Sequence, residues 1–88
     1  MEIIITKHAK FEADRRHIPL EIVEEVALSP QQIIESRMGR KICQSRLMNG
    51  ILLREMLFRV IVKDDNDTRH VITVYKTSQF EKYWEDID

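Results

Sequence analysis

The sequence predicts an α+β domain: two N-terminal helices, an antiparallel sheet of about four strands in a meander, and a short C-terminal helix. Three observations predict it. Helical stripes occupy the first third of the chain. Strand-like runs on both sides of Asn49-Gly50 and again near the end occupy the rest. The length of 88 residues fits one domain, 1–88, with room for a single core and little more.

Residues 2–5 are short and β-branched, a first strand or a lead-in segment. Thr6 then stands where an N-cap belongs, ahead of a helix over residues 7–16, with Ala9 and Ala13 one turn apart. Ile18-Pro19 ends or redirects it, since proline suits a first turn. Residues 20–28 form a second helix with Leu20, Val23, Val26 and Ala27 on its apolar side and Glu21, Glu24 and Glu25 on its wet side. Ser29-Pro30 stops it. Residues 33–37 look like a strand, followed by a turn at Met38-Gly39-Arg40.

Asn49-Gly50 is the strongest short hairpin signal, because both residues accept the positive φ of a type I′ turn. A two-residue loop pairs Met48 with Ile51 and Leu47 with Leu52, and residues opposite each other share a face. Leu47, Cys43, Met56, Phe58, Val60 and Val62 then form the core face. Gln44, Arg46, Arg40, Glu55 and Arg59 share the other, among Leu53, Leu57 and Ile61. Arg54 falls on the core side and snorkels to water near the hairpin end. A polar stretch, residues 64–68, leads to a last strand over about 69–76. Pairing Lys63 with Arg69 sends Ile72 and Val74 to the core and Val71, Thr73 and Tyr75 to the arginine face, with Thr73 opposite Arg59. Ser78-Gln79-Phe80-Glu81 has the form of a capping box. It opens a short helix whose Phe80, Tyr83 and Trp84 pack on the sheet.

Formal charge is −1, so nothing global favours nucleic acid. The distribution is uneven: between Arg37 and Arg59 six basic residues stand against Glu55 alone. One cysteine, Cys43, excludes an internal disulfide and a cysteine-rich zinc site. The start shows no signal peptide, and no segment approaches the roughly 20 apolar residues of a membrane span, which predicts a cytoplasmic protein. The sequence shows no metal signature and no phosphate-binding glycine loop, so no cofactor is expected.

What remains is the arginine face. Arginine grips phosphate with two-pronged hydrogen bonds and stays charged. Tyr75 is placed to stack on a base or transfer a proton, and histidines such as His8 and His70 are the side chains most easily poised near neutral pH. RNA carries its own nucleophile, the 2′-hydroxyl, so a metal-free basic face is chemically sufficient to cleave it. Each residue also has a plain structural use: His8 as a cap, Arg15 and Arg16 as partners of Glu12, Arg59 as a partner of Glu55, Tyr75 as cover for the sheet.

His8-Ala9, then Arg15-Arg16-His17-Ile18-Pro19 and a glutamate-rich helix, resemble the start of a small bacterial family, the domain of unknown function 4258. Val71-Ile72-Thr73-Val74-Tyr75 resembles its closing strand. The element order is similar to that of BrnT and, more loosely, of RelE-type toxins. The resemblance implies a RelE- or BrnT-like sheet working on the face opposite the helices, with RNA and an antitoxin protein as partners. His8, Arg15, Thr73 and Tyr75 match the family's motifs; Arg40, Arg46 and Arg59 come from register alone. The sites expected are therefore catalytic His8, Arg59 and Tyr75, with Arg15, Arg40, Arg46 and Thr73 binding substrate. The function expected is a toxin-like, metal-independent endoribonuclease. The alternative is a non-catalytic interaction module, a homodimer or one that binds a partner by strand addition, using Leu53, Leu57 and Ile61.

Overall fold

The computed structural model describes residues 1–50 and 53–86. Its order is β1 (Glu2–Ile5), α1 (Lys7–Arg15), α2 (Leu20–Leu28), β2 (Gln32–Glu35), a 3-10 turn (Arg37–Gly39), β3 (Arg40–Asn49), β4 (Arg54–Asp65), β5 (Thr68–Thr77) and α3 (Phe80–Tyr83). The fold is α+β, as expected. The sheet has five strands in the order β1-β5-β4-β3-β2, and it is mixed: β1 runs parallel to β5 and the other neighbours are antiparallel.

Local signals account for the helices. The Thr6 hydroxyl accepts the Ala9 N–H at 3.2 Å and donates to the Val71 carbonyl at 2.7 Å, so one side chain caps α1 and ties it to β5. Ala9 and Ala13 are fully buried, and their small size lets α1 lie close on the sheet. His17 closes α1 at φ 56°, and the Ile18 N–H returns to the Ala13 carbonyl at 2.8 Å, which swings buried Ile18 into the core. The helix-side face of the sheet supplies Cys43, Met56, Phe58, Val60, Val62, Val71 and Val74 to a core completed by Ala9, Ala13, Val23, Val26 and Ala27.

The β3–β4 hairpin corrects the expected turn. Asn49 pairs with Arg54, Met48 with Glu55 and Leu47 with Met56, so β3 stops at Asn49 and β4 begins at Arg54. The expected partners Ile51 and Leu52 lie outside the described residues. Neither Asn49 nor Gly50 has the positive φ that a type I′ turn requires; Leu53 does, at 53°, and its N–H bonds to the Asn49 carbonyl at 2.8 Å. Each pairing is displaced by four residues from expectation. Because side chains alternate with period two, an even displacement keeps every residue on its expected face. Arg54 is exposed, as expected at the hairpin end. The two-residue turn sits instead between β4 and β5, where Asp65 pairs with Thr68 and Asn66 has φ 57°.

A β-bulge corrects β5. Val62 pairs with Val71 but Ile61 pairs with Thr73, which leaves Ile72 without a partner. Val71 and Val74 both reach the core, fully buried, while Ile72 is half-buried. Thr73 therefore lies opposite Ile61, and Tyr75 takes the expected place of Thr73 opposite Arg59.

The expected capping box is absent. The N-cap of α3 is Gln79, which makes no side-chain cap bond; its N–H bonds to the Thr77 hydroxyl at 3.0 Å. The helix is one turn long.

Candidate functional site

The face away from α1 and α2, the back face, holds a row of polar side chains across four strands. Register places Tyr75 (β5) beside Arg59 (β4), Arg59 beside Gln44 (β3) and Gln44 beside Gln32 (β2). The row is bonded along its length. The Arg59 guanidinium donates through Nη1 to the Tyr75 hydroxyl and through Nε to Gln44 Oε1 at 2.9 Å. Gln44 Nε2 donates to Gln32 Oε1 at 2.7 Å and to the Tyr83 carbonyl at 3.1 Å. Gln32 then exchanges two hydrogen bonds with the Glu85 backbone, 2.6 and 3.1 Å long. Arg59 is only 6% exposed, which is tolerable for a guanidinium so anchored.

The C-terminal segment covers this row. The Arg59 guanidinium carbon lies 4.1 Å from the centre of the Tyr83 ring and 5.7 Å from that of Tyr75, and the two rings meet edge to face. Arg46 lies 4.4 Å from the Phe80 ring centre and 5.4 Å from that of Trp84, and it bonds Glu55 with Nε and Nη2 at 3.0 and 2.7 Å. These are cation–π distances. Phe80, Tyr83 and Trp84 do pack on the sheet, but on the back face and half-exposed, because the opposite face is already filled by the helices. The back face is thus closed at one end.

The expected site residues divide between the two layers. Arg46, Arg59 and Tyr75 come together, and Arg59 pairs with Gln44 and Tyr75 rather than with Glu55. Thr73 is on the same face, opposite Ile61. Arg40 is at the far end of β3, opposite Lys63. His8 and Arg15 are on α1, on the other side of the sheet, where Glu12 gathers them: Arg15 Nη2 at 2.6 Å, His8 Nε2 at 3.9 Å and Arg16 Nη1 as well. The motif residues of α1 and the back-face cluster are separate sites. The apolar partner surface expected from Leu53, Leu57 and Ile61 is also divided, because Leu57 is fully buried while Leu53 is 80% exposed.

Arg69, which no sequence pattern singles out, is the second buried arginine. It enters the helix-side layer from β5 and binds Asp64 with two prongs, 2.7 and 2.8 Å, the Ala27 carbonyl at 2.7 Å and Cys43 Sγ at 3.5 Å. Lys41 also reaches Asp64, at 3.5 Å. The Arg69 hydrogen bonds hold the Asp64 carboxyl below its ordinary range. Burial pushes the Cys43 thiol up, and the Arg69 charge offsets only part of that push. A raised, buried thiol is a poor nucleophile, so Cys43 is a core residue. Sequence spacing alone holds no signal for this cluster, since it joins residues from four elements.

Among the described residues, no three His, Cys, Asp or Glu side chains are grouped to hold a metal, and no helix is long and apolar enough to cross a membrane. The domain of unknown function family DUF4258 matches residues 5–76. The chain belongs to that family. The match runs from the end of β1 through most of β5, so the row from Gln32 to Tyr75 lies within it and the aromatic segment that covers the row lies beyond it. No curated protein and no solved structure matches the chain.

Proposed function

We propose that this DUF4258 protein handles RNA on the back face of its sheet and cleaves it without metal, in the manner expected of a toxin-like endoribonuclease. The observation that supports this reading is the Arg59–Tyr75 pair. Arg59 uses two donors, on Gln44 and Tyr75, and its other N–H groups have no hydrogen-bond partner among the described residues. A planar cation fixed in this way suits a phosphate oxygen. Tyr75 accepts from Arg59, which leaves its own hydrogen free to give away. The Tyr75 ring, which stays on the sheet beside Arg59, offers a surface for a base to stack on.

In this reading the ribose 2′-oxygen bonds to the adjacent phosphorus and loses its proton to water. Arg59 holds the crowded phosphate, the bond from phosphorus to the 5′-oxygen breaks, and Tyr75 gives its proton to that departing oxygen. The products are a 2′,3′-cyclic phosphate and a free 5′-hydroxyl. Access requires the 78–86 segment to lift from Arg59, because its backbone and Tyr83 now occupy that approach. His8 and Arg15, on the opposite layer, take no part.

The test is incubation with a short single-stranded RNA in the presence of a chelator, beside Tyr75→Phe, which removes one hydroxyl and leaves the ring. Wild type should yield cyclic-phosphate ends, and Tyr75→Phe should bind equally but cleave at least about a hundredfold more slowly. Absence of cleavage by wild type, or equal cleavage by both, sinks the reading.

A further inference from the structure

A second row crosses the back face four residues along β3 and β4 from the first. Register places Arg40 (β3) opposite Lys63 (β4) and Lys63 opposite His70 (β5). On β5 the two rows are five residues apart, Tyr75 to His70. An odd separation would ordinarily put them on opposite faces; the bulge at Ile72 absorbs one residue and brings both onto this one. The rows differ in kind. Every side chain of the first is hydrogen-bonded to its neighbour. None of Arg40, Lys63 and His70 has a side-chain hydrogen bond or ion pair among the described residues.

Two like charges directly opposite on neighbouring strands destabilise a sheet. Arg40 and Lys63 are such a pair, and Arg40 and His70 are half-buried while Lys63 is exposed. The acidic groups nearby do not relieve them. Asp64 points to the other face and is engaged by Arg69 and Lys41. Asp65 and Glu2 share the back face but belong to the next row, across Thr68, and Asp65 makes no ion pair with Lys63. That acidic row borders the basic one on its outer side. On its inner side lie Ile42, Ile61 and Thr73, which are uncharged, and then Arg59. The fold thus holds an uncompensated basic row whose open side leads toward the Arg59–Tyr75 pair.

We propose that Arg40, Lys63 and His70 form a second phosphate site, which holds a phosphodiester of the same RNA strand some nucleotides away from the one at Arg59. The proposal rests on the RNA reading above and extends it from a point to a track. Four strand residues span roughly 13 Å, so one phosphate cannot touch both rows and an oligonucleotide can. Groups that bind phosphate read charge and not sequence, so this site sets affinity and register on the face.

The experiment titrates the full chain with labelled hexauridylate and with diuridylate, which has one phosphodiester, over a salt series. Wild type is compared with Arg40→Gln/Lys63→Gln. For hexauridylate, the double variant should bind about tenfold more weakly, and its log-affinity against log-salt slope should fall by about 0.7 for each phosphate no longer neutralised. Diuridylate cannot bridge the two rows, so its affinity should fall no more than about twofold, as one of two separate sites is lost. The double variant should also melt higher than wild type at low salt, with the difference vanishing at high salt, because repulsion has been removed. If wild type binds hexauridylate and the double variant binds it with the same affinity and slope, the second site is overturned and the Arg59 reading stands. If wild type binds neither oligonucleotide, the RNA reading itself falls. Should the double variant fail to fold, Lys63→Gln alone carries the same comparison.

Discussion

Arg69, 6% exposed, ties the sheet to α2 from within the helix-side layer. Its guanidinium joins β5 to the end of β4 through Asp64 and to the last turn of α2 through the Ala27 carbonyl. A helix C-terminus leaves carbonyls without partners and carries partial negative charge, so a cation there is doubly placed. Arg69→Met removes these bonds and leaves the Asp64 carboxylate, 22% exposed, with Lys41 and water as its remaining partners. The expected loss is about 3 kcal/mol in urea unfolding. Asp64→Asn separates charge from shape. Arg69 depresses the folded Asp64 pKa, so this stabilisation is present above the unfolded value near 3.9 and is lost as pH falls through the folded value. The stability gap between wild type and Asp64→Asn should be widest near neutrality and close below about pH 4; a gap constant from pH 7 to pH 2.5 would refute the pairing argument. Neither residue was legible as a partner, because pairing across the helix-side layer depends on a register that the bulge resets.

Among the elements, those with local chemistry were the legible ones. Thr6 caps α1 and Ser29-Pro30 ends α2 where their types say they should, since capping depends on residues a few positions apart. The Asn49-Gly50 signal located the hairpin but not its register, and the positive φ described there is at Leu53. Faces survived because the displacement was even. The C-terminal segment differs in its consequence: its aromatics pack on the sheet as expected, yet they cover the very arginines that register alone leaves open. That segment has its own reporter, since Trp84 is the single tryptophan. Its backbone is held by Gln32 and Gln44 and its rings by two guanidiniums, a grip with no buried residue in α3. Binding of hexauridylate should shift Trp84 emission to the red and raise its quenching by acrylamide, as the ring leaves Arg46 for water. Quenching by the RNA without a red shift would place the bases on a stationary Trp84 and rule out displacement.

Across the whole molecule, the sheet has two covers of unequal grip. On one face α1 and α2 bury a continuous core of valines and alanines. On the other a single helical turn and its tail lie over Gln44, Leu57 and Arg59, all nearly or fully buried beneath them. The parallel β1–β5 edge, which closes the N-terminus onto the last strand, was not readable, because its partners are 66 residues apart in sequence, as with Glu2 and Thr68. Local openings sample the parts with least buried apolar surface, so amide exchange should grade by layer. In exchange followed by mass spectrometry, peptides from β4 and β5 should exchange only with global unfolding. Peptides covering residues 78–86 should exchange through a separate opening that costs several kcal/mol less, and urea should leave that opening nearly unchanged because it exposes little surface. If the tail proves as protected as β4, it is part of the cooperative core. The Arg59 row is then permanently closed, and the only back-face site left for RNA is the bare row of Arg40, Lys63 and His70.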